Sequence, residues 1–260
     1  MPDTVKFDGT IKSVVHLLEH IGYSKLTELP QAHLRMWFRG QENKAWPLQP
    51  GVYRESFQAK TEDDRLERER QLTQDFRVES AGILTRHADD AELYFVQQHY
   101  RMPTRLLDWT ANPLAALYFA VAKEEETDGA LFLMDAFGLA TTQKIRQMKV
   151  ATGQHKVFTD AMKRIYWWSD DFPFPNFIFP VRPDHFDKRM MLQKSGFTFH
   201  VPDHGQLTKA ENDTLQSYEI PARAKRGLLR ELAVLGVDEF SIFGDLDSLS
   251  NRLRRAYKIH

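Results

Sequence analysis

Residues 99 to 121 read HYRMPTRLLDWTANPLAALYFAV, a polar string that runs straight into an apolar one. Pro103 pushes Met102 out of helical backbone and into an extended turn. After it, RLLDW has the brevity and the apolar pair of a short buried strand. Asn112-Pro113 then offers a helix start: a side chain that can cap the first turn, followed by a proline whose missing N–H is no loss at the first helical position. Leu114 to Val121 is apolar on every face, so this helix belongs at the centre of the molecule. A strand that hands directly to a central helix, in a chain where strand and helix signals mix, points to an α+β fold.

The same reading extends outward. Residues 8 to 30 begin with an amphipathic helix, with Ile11, Val14, Val15, Leu17, Leu18 and Ile21 at helical spacing and Gly22 as its stop. Met36, Trp37 and Phe38 form a short strand that ends on Arg39-Gly40, which puts the arginine at a rim. Residues 61 to 88 read as a helix with a sparse apolar stripe and a charge run that forms a solvated face. Residues 91 to 100 form another helix, and GALFLMDA (129 to 136), FIFPV (177 to 181), RMMLQ (189 to 193) and FTFHV (197 to 201) read as strands. An aromatic and Pro-rich loop containing YWWSDDFPFPNF lies between, helix returns at 221 to 235, and SIFGDLDSLSNRLRRAY closes the chain with a strand-turn and a last helix. No repeat or linker interrupts the pattern, so residues 1–260 form a single domain with core motifs over 35–249.

Composition narrows the function classes. The chain has 35 basic and 36 acidic residues and a formal net charge of −1, so no global field draws it to nucleic acid or an anionic membrane. It contains no cysteine, which excludes disulfides, thiolate catalysis and Cys-ligated metal. No segment approaches the length of a membrane span and no secretory leader is apparent, so a soluble cytoplasmic protein is the expectation.

Two constellations carry chemistry. Asp108 is set where a strand leaves the core, so it must find donors, and Arg105 and Arg39 are the nearest candidates. It caps the following helix or pairs with Arg105 to fix the turn, or it serves a site in which His99, Tyr100, Thr104, Arg105, Trp109, Thr110 and Asn112 crowd a helix N-terminus suited to an anion. Phe38-Arg39-Gly40-Gln41 is the second: a planar five-donor fork for phosphate or carboxylate beside a glycine that admits close backbone approach. A surface arginine before a turn glycine explains the same string. His200 and His204 lie four apart, but Pro202 argues against the helix that would align them, and no metal is expected. Tyr166, Trp167 and Trp168 make either a stacking platform for bases or nicotinamide, or ordinary core and lid packing.

WFRGQ (37 to 41), HYRMPTRLLDWTANPLAALYFA (99 to 120), RMMLQKSGFTF (189 to 199) and LLRELAVLGVDEFSIFGDLDSL (228 to 249) together resemble the FRG domain family. The chain departs from that pattern at Arg101, where glycine is commoner, and at Gly244, where proline is usual. A more distant resemblance is to ADP-ribosyltransferases of the arginine-serine-glutamate type, in which a first strand ends in aromatic-Arg-Gly, a polar strand precedes a small-residue helix, and a later strand carries the glutamate. It implies a split mixed sheet with flanking helices and NAD as a substrate, with ADP-ribose transferred to a macromolecular acceptor, protein or nucleic acid. On this resemblance Arg39 grips the pyrophosphate, and Gly40 and Gln41 shape the approach. Thr104, Asp108, Trp109 and Thr110 line the nicotinamide-ribose pocket, supported by His99, Tyr100, Arg105 and Asn112. Arg189 and Gln193 form a third wall, with Arg39, Asp108 and Gln193 as the catalytic set. Most stand-alone members of that class are effectors, which implies a toxin or antiviral defence role with an antitoxin or chaperone as a further partner. Where the glutamate would stand this chain offers Arg189 or Gln193, neither a carboxylate, with Asp108, Asp184 or Asp187 as spatial substitutes. That departure supports the alternative, a non-catalytic nucleotide- or ligand-sensing module of a defence system.

Overall fold

The computed structural model describes residues 7–22, 28, 32–84, 88–123, 126–142, 151–183, 188–210 and 212–257. In chain order the elements are β1 (Gly9–Thr10), α1 (Val14–His20), α2 (Ala32–Arg35), β2 (Met36–Gln41), α3 (Glu62–Ser80), α4 (Asp90–His99), β3 (Leu106–Thr110), α5 (Pro113–Val121), β4 (Gly129–Asp135) and α6 (Ala136–Thr142). They continue with β5 (Ala151–Thr152), α7 (Lys156–Tyr166), β6 (Phe179–Arg182), α8 (Lys188–Gln193), β7 (Ser195–Phe199), β8 (Gln216–Ile220), α9 (Ala222–Val234), α10 (Glu239–Phe243) and α11 (Leu246–Ala256). Local chemistry sets several boundaries. Asn112 Oδ1 accepts from Leu114 N at 3.0 Å ahead of Pro113, and Asp89 and Glu92 close a reciprocal capping box on α4.

The strands form one mixed sheet in the order β1-β8-β4-β2-β3-β7-β6-β5, parallel at β1–β8 and β5–β6 and antiparallel elsewhere. Its middle is a seam. β2 registers with β4 over six pairs and β3 with β7 over five, but β2 and β3 meet at the single pair Phe38↔Thr110. Side chains alternate across a strand, so Phe38, Gly40, Asp108 and Thr110 share one face, and Trp37, Arg39, Leu107 and Trp109 the other. Two helical layers cover the first face. Helix α5 packs with α1, α9 and α10 on Phe38, Leu131 and Tyr218, while α4 and α7 pack on Leu106, Phe197 and Phe199. A third apolar cluster around Trp37, Trp109 and Phe132 fills the opposite face.

The central position of α5 follows from an absent side chain. A Cβ on Gly40 would sit 1.9 Å from the carbonyl oxygen of Ala116 and 2.7 Å from the amide of Ala120, so helix and strand backbones touch there. The glycine of the arginine motif therefore opens toward α5, which fills the space expected for a ligand.

Several expectations are corrected. Residues 189–193 are helix α8, not a strand: Arg, Met, Leu and Gln are helix formers, and the β-run begins only at Ser195. Residues 239–243 are helical, with a capping box between Asp238 and Ser241, rather than a strand-turn. The helix read over 61–88 ends at Ser80, and residues 85–87 lie outside the described residues, as do Asp184 and Asp187. Part of the stretch read as an aromatic loop region contains α7, and β8 and β1 had no counterpart in the sequence reading. The charge run of α3 is not wholly a solvated face, because Glu69 within it is fully buried. Arg101, at the position where glycine is commoner, has φ of 64°, and Gly244 caps α10 at φ of 68°. Both are left-handed conformations that glycine adopts without steric cost.

Candidate functional site

Arg39 is the fourth residue of β2, on the same face as Trp37, and turns its guanidinium into the seam. Nη1 donates to the Asp108 carbonyl at 2.7 Å and stands 3.8 Å from Asp108 Oδ2. The side chain thus takes the place of ladder hydrogen bonds that β2 and β3 do not make. Arg39 is 14% exposed and Asp108 59% exposed, so a mostly enclosed cation meets a carboxylate open to solvent. Burial draws the arginine down to about 10, opposed by Asp108 and assisted by the neighbouring charge of Arg54. Among the described residues Arg39 Nε is buried without a hydrogen-bond partner, as is Gln41 Oε1, whose amide nitrogen donates to the Pro47 carbonyl at 3.3 Å.

Asp108 is held by a residue the sequence reading passed over. Gln98 Nε2 donates to Asp108 Oδ2 at 2.8 Å, while Gln98 Oε1 accepts from Thr104 Oγ1, which itself accepts from Leu106 N. Thr104 has one hydroxyl proton to give, which orients the Gln98 amide and turns its N–H toward the carboxylate.

On the opposite face, Trp109 Nε1 donates to Thr198 Oγ1 at 3.1 Å, and Thr198 Oγ1 lies 2.9 Å from His200 Nε2. His200 is fully enclosed, and burial pushes it down to about 3, helped by the charges of Arg39 and His204 and opposed by the Gly205 and His204 backbone. It is a neutral imidazole beside the seam, its Nδ1 without a hydrogen-bond partner among the described residues.

The other expected site residues disperse. Arg105 is fully buried and points into the core: Nε donates to Glu69 at 2.7 Å, Nη2 to Glu62 at 2.8 Å and Nη1 to Tyr53 OH, under the ring of Phe174. Burial disfavours its charge, but Glu69, Tyr53 and Glu62 more than offset this and hold it above the ordinary arginine value. Thr110 Oγ1 donates to the Gln193 carbonyl and Gln193 Nε2 to the Ile242 carbonyl, so this pair fastens α8 to β3 and α10. Asn112 is the cap of α5, and Arg189 lies on α8. His99 and Tyr100 end α4, their rings 5.0 Å apart, with Tyr100 largely exposed. The assembled site is therefore Arg39, Asp108, Gln98 and Thr104, with His200 behind and Gly40 as the contact that seats α5. No group of three or more His, Asp or Glu side chains at metal-ligating distance occurs among the described residues.

The fold and seam define a mixed α+β protein with a cation and a carboxylate at a break in its sheet. Residues 34–129, from the approach to β2 through the first residue of β4, match the family model described as the FRG domain, which supports the FRG family for that segment. No curated protein and no solved structure gives a significant match. No helix among the described residues is long and apolar enough to cross a membrane.

Proposed function

We propose that the protein binds NAD as a substrate and transfers its ADP-ribose to a macromolecular acceptor, protein or nucleic acid, as a toxin or defence effector with an antitoxin or chaperone partner. The observation that carries this reading is the meeting of Arg39 and Asp108 at the seam. Arg39 Nε has no hydrogen-bond partner among the described residues and Arg54 adds charge nearby, a donor set that fits a pyrophosphate. In the reaction the bond between ribose C1′ and the nicotinamide nitrogen breaks, and nicotinamide leaves with the bonding pair. A lone pair of the acceptor then forms the new bond at C1′, and the proton it sheds passes to Asp108 or to water. Asp108 faces the cationic sugar as it forms, the part held by glutamate in the Arg-Ser-Glu enzymes.

Incubation with labelled NAD and a cell lysate tests the reading. Label transfer and nicotinamide release are expected, and Arg39→Ala and Asp108→Ala each reduce them by about 10²–10³. Turnover that survives Asp108→Ala removes the carboxylate from the mechanism. The sensor reading is favoured by one observation: α8 is a helix without a carboxylate, its last side chain turned to Ile242. Saturable NAD binding with no nicotinamide release in the unmodified protein would establish that reading instead.

A further inference from the structure

Away from the seam, α3, α4 and α7 line an open cavity of about 600 Å³ that Trp167 borders. Small-molecule sites span roughly 300–1,000 Å³. Trp167 is 63% exposed, yet its ring is fixed: Nε1 donates to Asp90 at 2.6 Å, and the Arg77 guanidinium lies 5.1 Å from the ring centroid. A ring already immobilised gives up little freedom when a second ring stacks on it. Leu84, Leu93 and Met162 supply apolar wall.

The charged groups around the cavity are already engaged. Arg77 pairs with Asp90 and Lys163 with Asp160, while Asp89 caps α4 and accepts from Gln154 Nε2 at 2.7 Å. A charged guest would have to draw one of these groups away from its present partner, so a neutral guest is favoured. Ser80 also lines the cavity, and its buried hydroxyl has no hydrogen-bond partner among the described residues. A hydrocarbon guest leaves that hydroxyl unsatisfied, whereas a ring heteroatom satisfies it.

We propose that this cavity binds a neutral, planar heteroaromatic ligand of nucleoside size, stacked on Trp167 with a heteroatom hydrogen-bonded to Ser80 Oγ. The site stands apart from the NAD reading, since neither Arg39 nor Asp108 lines it. The test is titration of the full chain with adenosine and with uridine, following the Trp167 indole resonance and measuring affinity by calorimetry. Saturable binding of at least one nucleoside is expected, weakened tenfold or more, at about the worth of one stacked base, by Trp167→Ala. Ser80→Ala weakens it by about 2- to 10-fold, Trp167→Phe, which keeps a stacking face but loses the tie to Asp90, weakens it less than Trp167→Ala, and Arg39→Ala leaves it nearly unchanged. The proposal is overturned if neither nucleoside binds at millimolar concentration, or if Trp167→Ala binds as tightly as the unmodified protein. Loss of binding in Arg39→Ala with retention in Trp167→Ala also overturns it, because the nucleoside then sits at the seam.

Discussion

Gly40→Ala separates two explanations of the arginine-glycine motif. The added methyl meets the Ala116 carbonyl at 1.9 Å, where real contacts of this kind stay beyond 3.0 Å, so α5 must retreat by about 1 Å. Both atoms in conflict, Ala116 O and Ala120 N, are backbone, and no side-chain rotation relieves them. Retreat of α5 loosens the cluster that joins Phe38, Ala116, Leu117 and Leu131. Overpacking in cores costs about 1–3 kcal/mol. A rigid helix displaced from a central strand belongs at or above the top of that span, roughly 3–5 kcal/mol. At about 2–4 °C per kcal/mol for a domain of this size, Tm falls by roughly 6–20 °C. Urea unfolding followed by far-UV circular dichroism, with thermal melts alongside, measures both. A Gly40→Ala protein that melts with the unmodified one but loses NAD binding would refute the packing argument and restore the glycine to the ligand.

Three further outcomes are expected. Arg105→Met strands the buried Glu69 carboxylate and costs about 3–5 kcal/mol in urea unfolding, whereas Arg105→Met with Glu69→Leu recovers much of the loss because neither charge remains buried. Arg101→Gly releases a left-handed φ of 64° and raises stability by about 0.5–1 kcal/mol, net of glycine's greater freedom in the unfolded chain. His200, held near 3 when folded against an unfolded value of 6.5, is protonated first in the unfolded chain, so its contribution is complete above about pH 6.5 and is lost as pH falls toward 3. The slope reaches about 1.4 kcal/mol per pH unit, and His200→Gln flattens it.

The parts of the fold legible in the sequence are those whose causes are local. LLDWT, the Asn112-Pro113 start and the apolar helix after it each announce themselves within a few residues, and all three stand where they were read. RMMLQ departs from the strand expected because three apolar residues in a row have no period to distinguish strand from helix. Helix α7 was legible and overlooked: Phe158, Ala161, Met162 and Ile165 recur at helical spacing and are all buried. Strand β8 gave a poorer signal, since Ser217 is as buried as its apolar neighbours. At the site, Arg39 and Asp108 could be nominated from residue type, but their partners could not. Gln98 reaches Asp108 only because α4 lies over β3, and His200 lies behind Arg39 only because β7 pairs with β3. Arg105 looked like a ligand-binding cation because its counterions, Glu62 and Glu69, sit in a helix some forty residues earlier that reads as surface.

The single register pair between β2 and β3 leaves Arg39 as a rivet across the break, its head set in the Asp108 carbonyl. An anion that captures Nη1 pulls the rivet. Occupancy and mechanical closure then compete for one guanidinium, so a guest entering here trades away the stiffness of the joint it occupies, and the two flanks of the sheet are held together most firmly when nothing is bound.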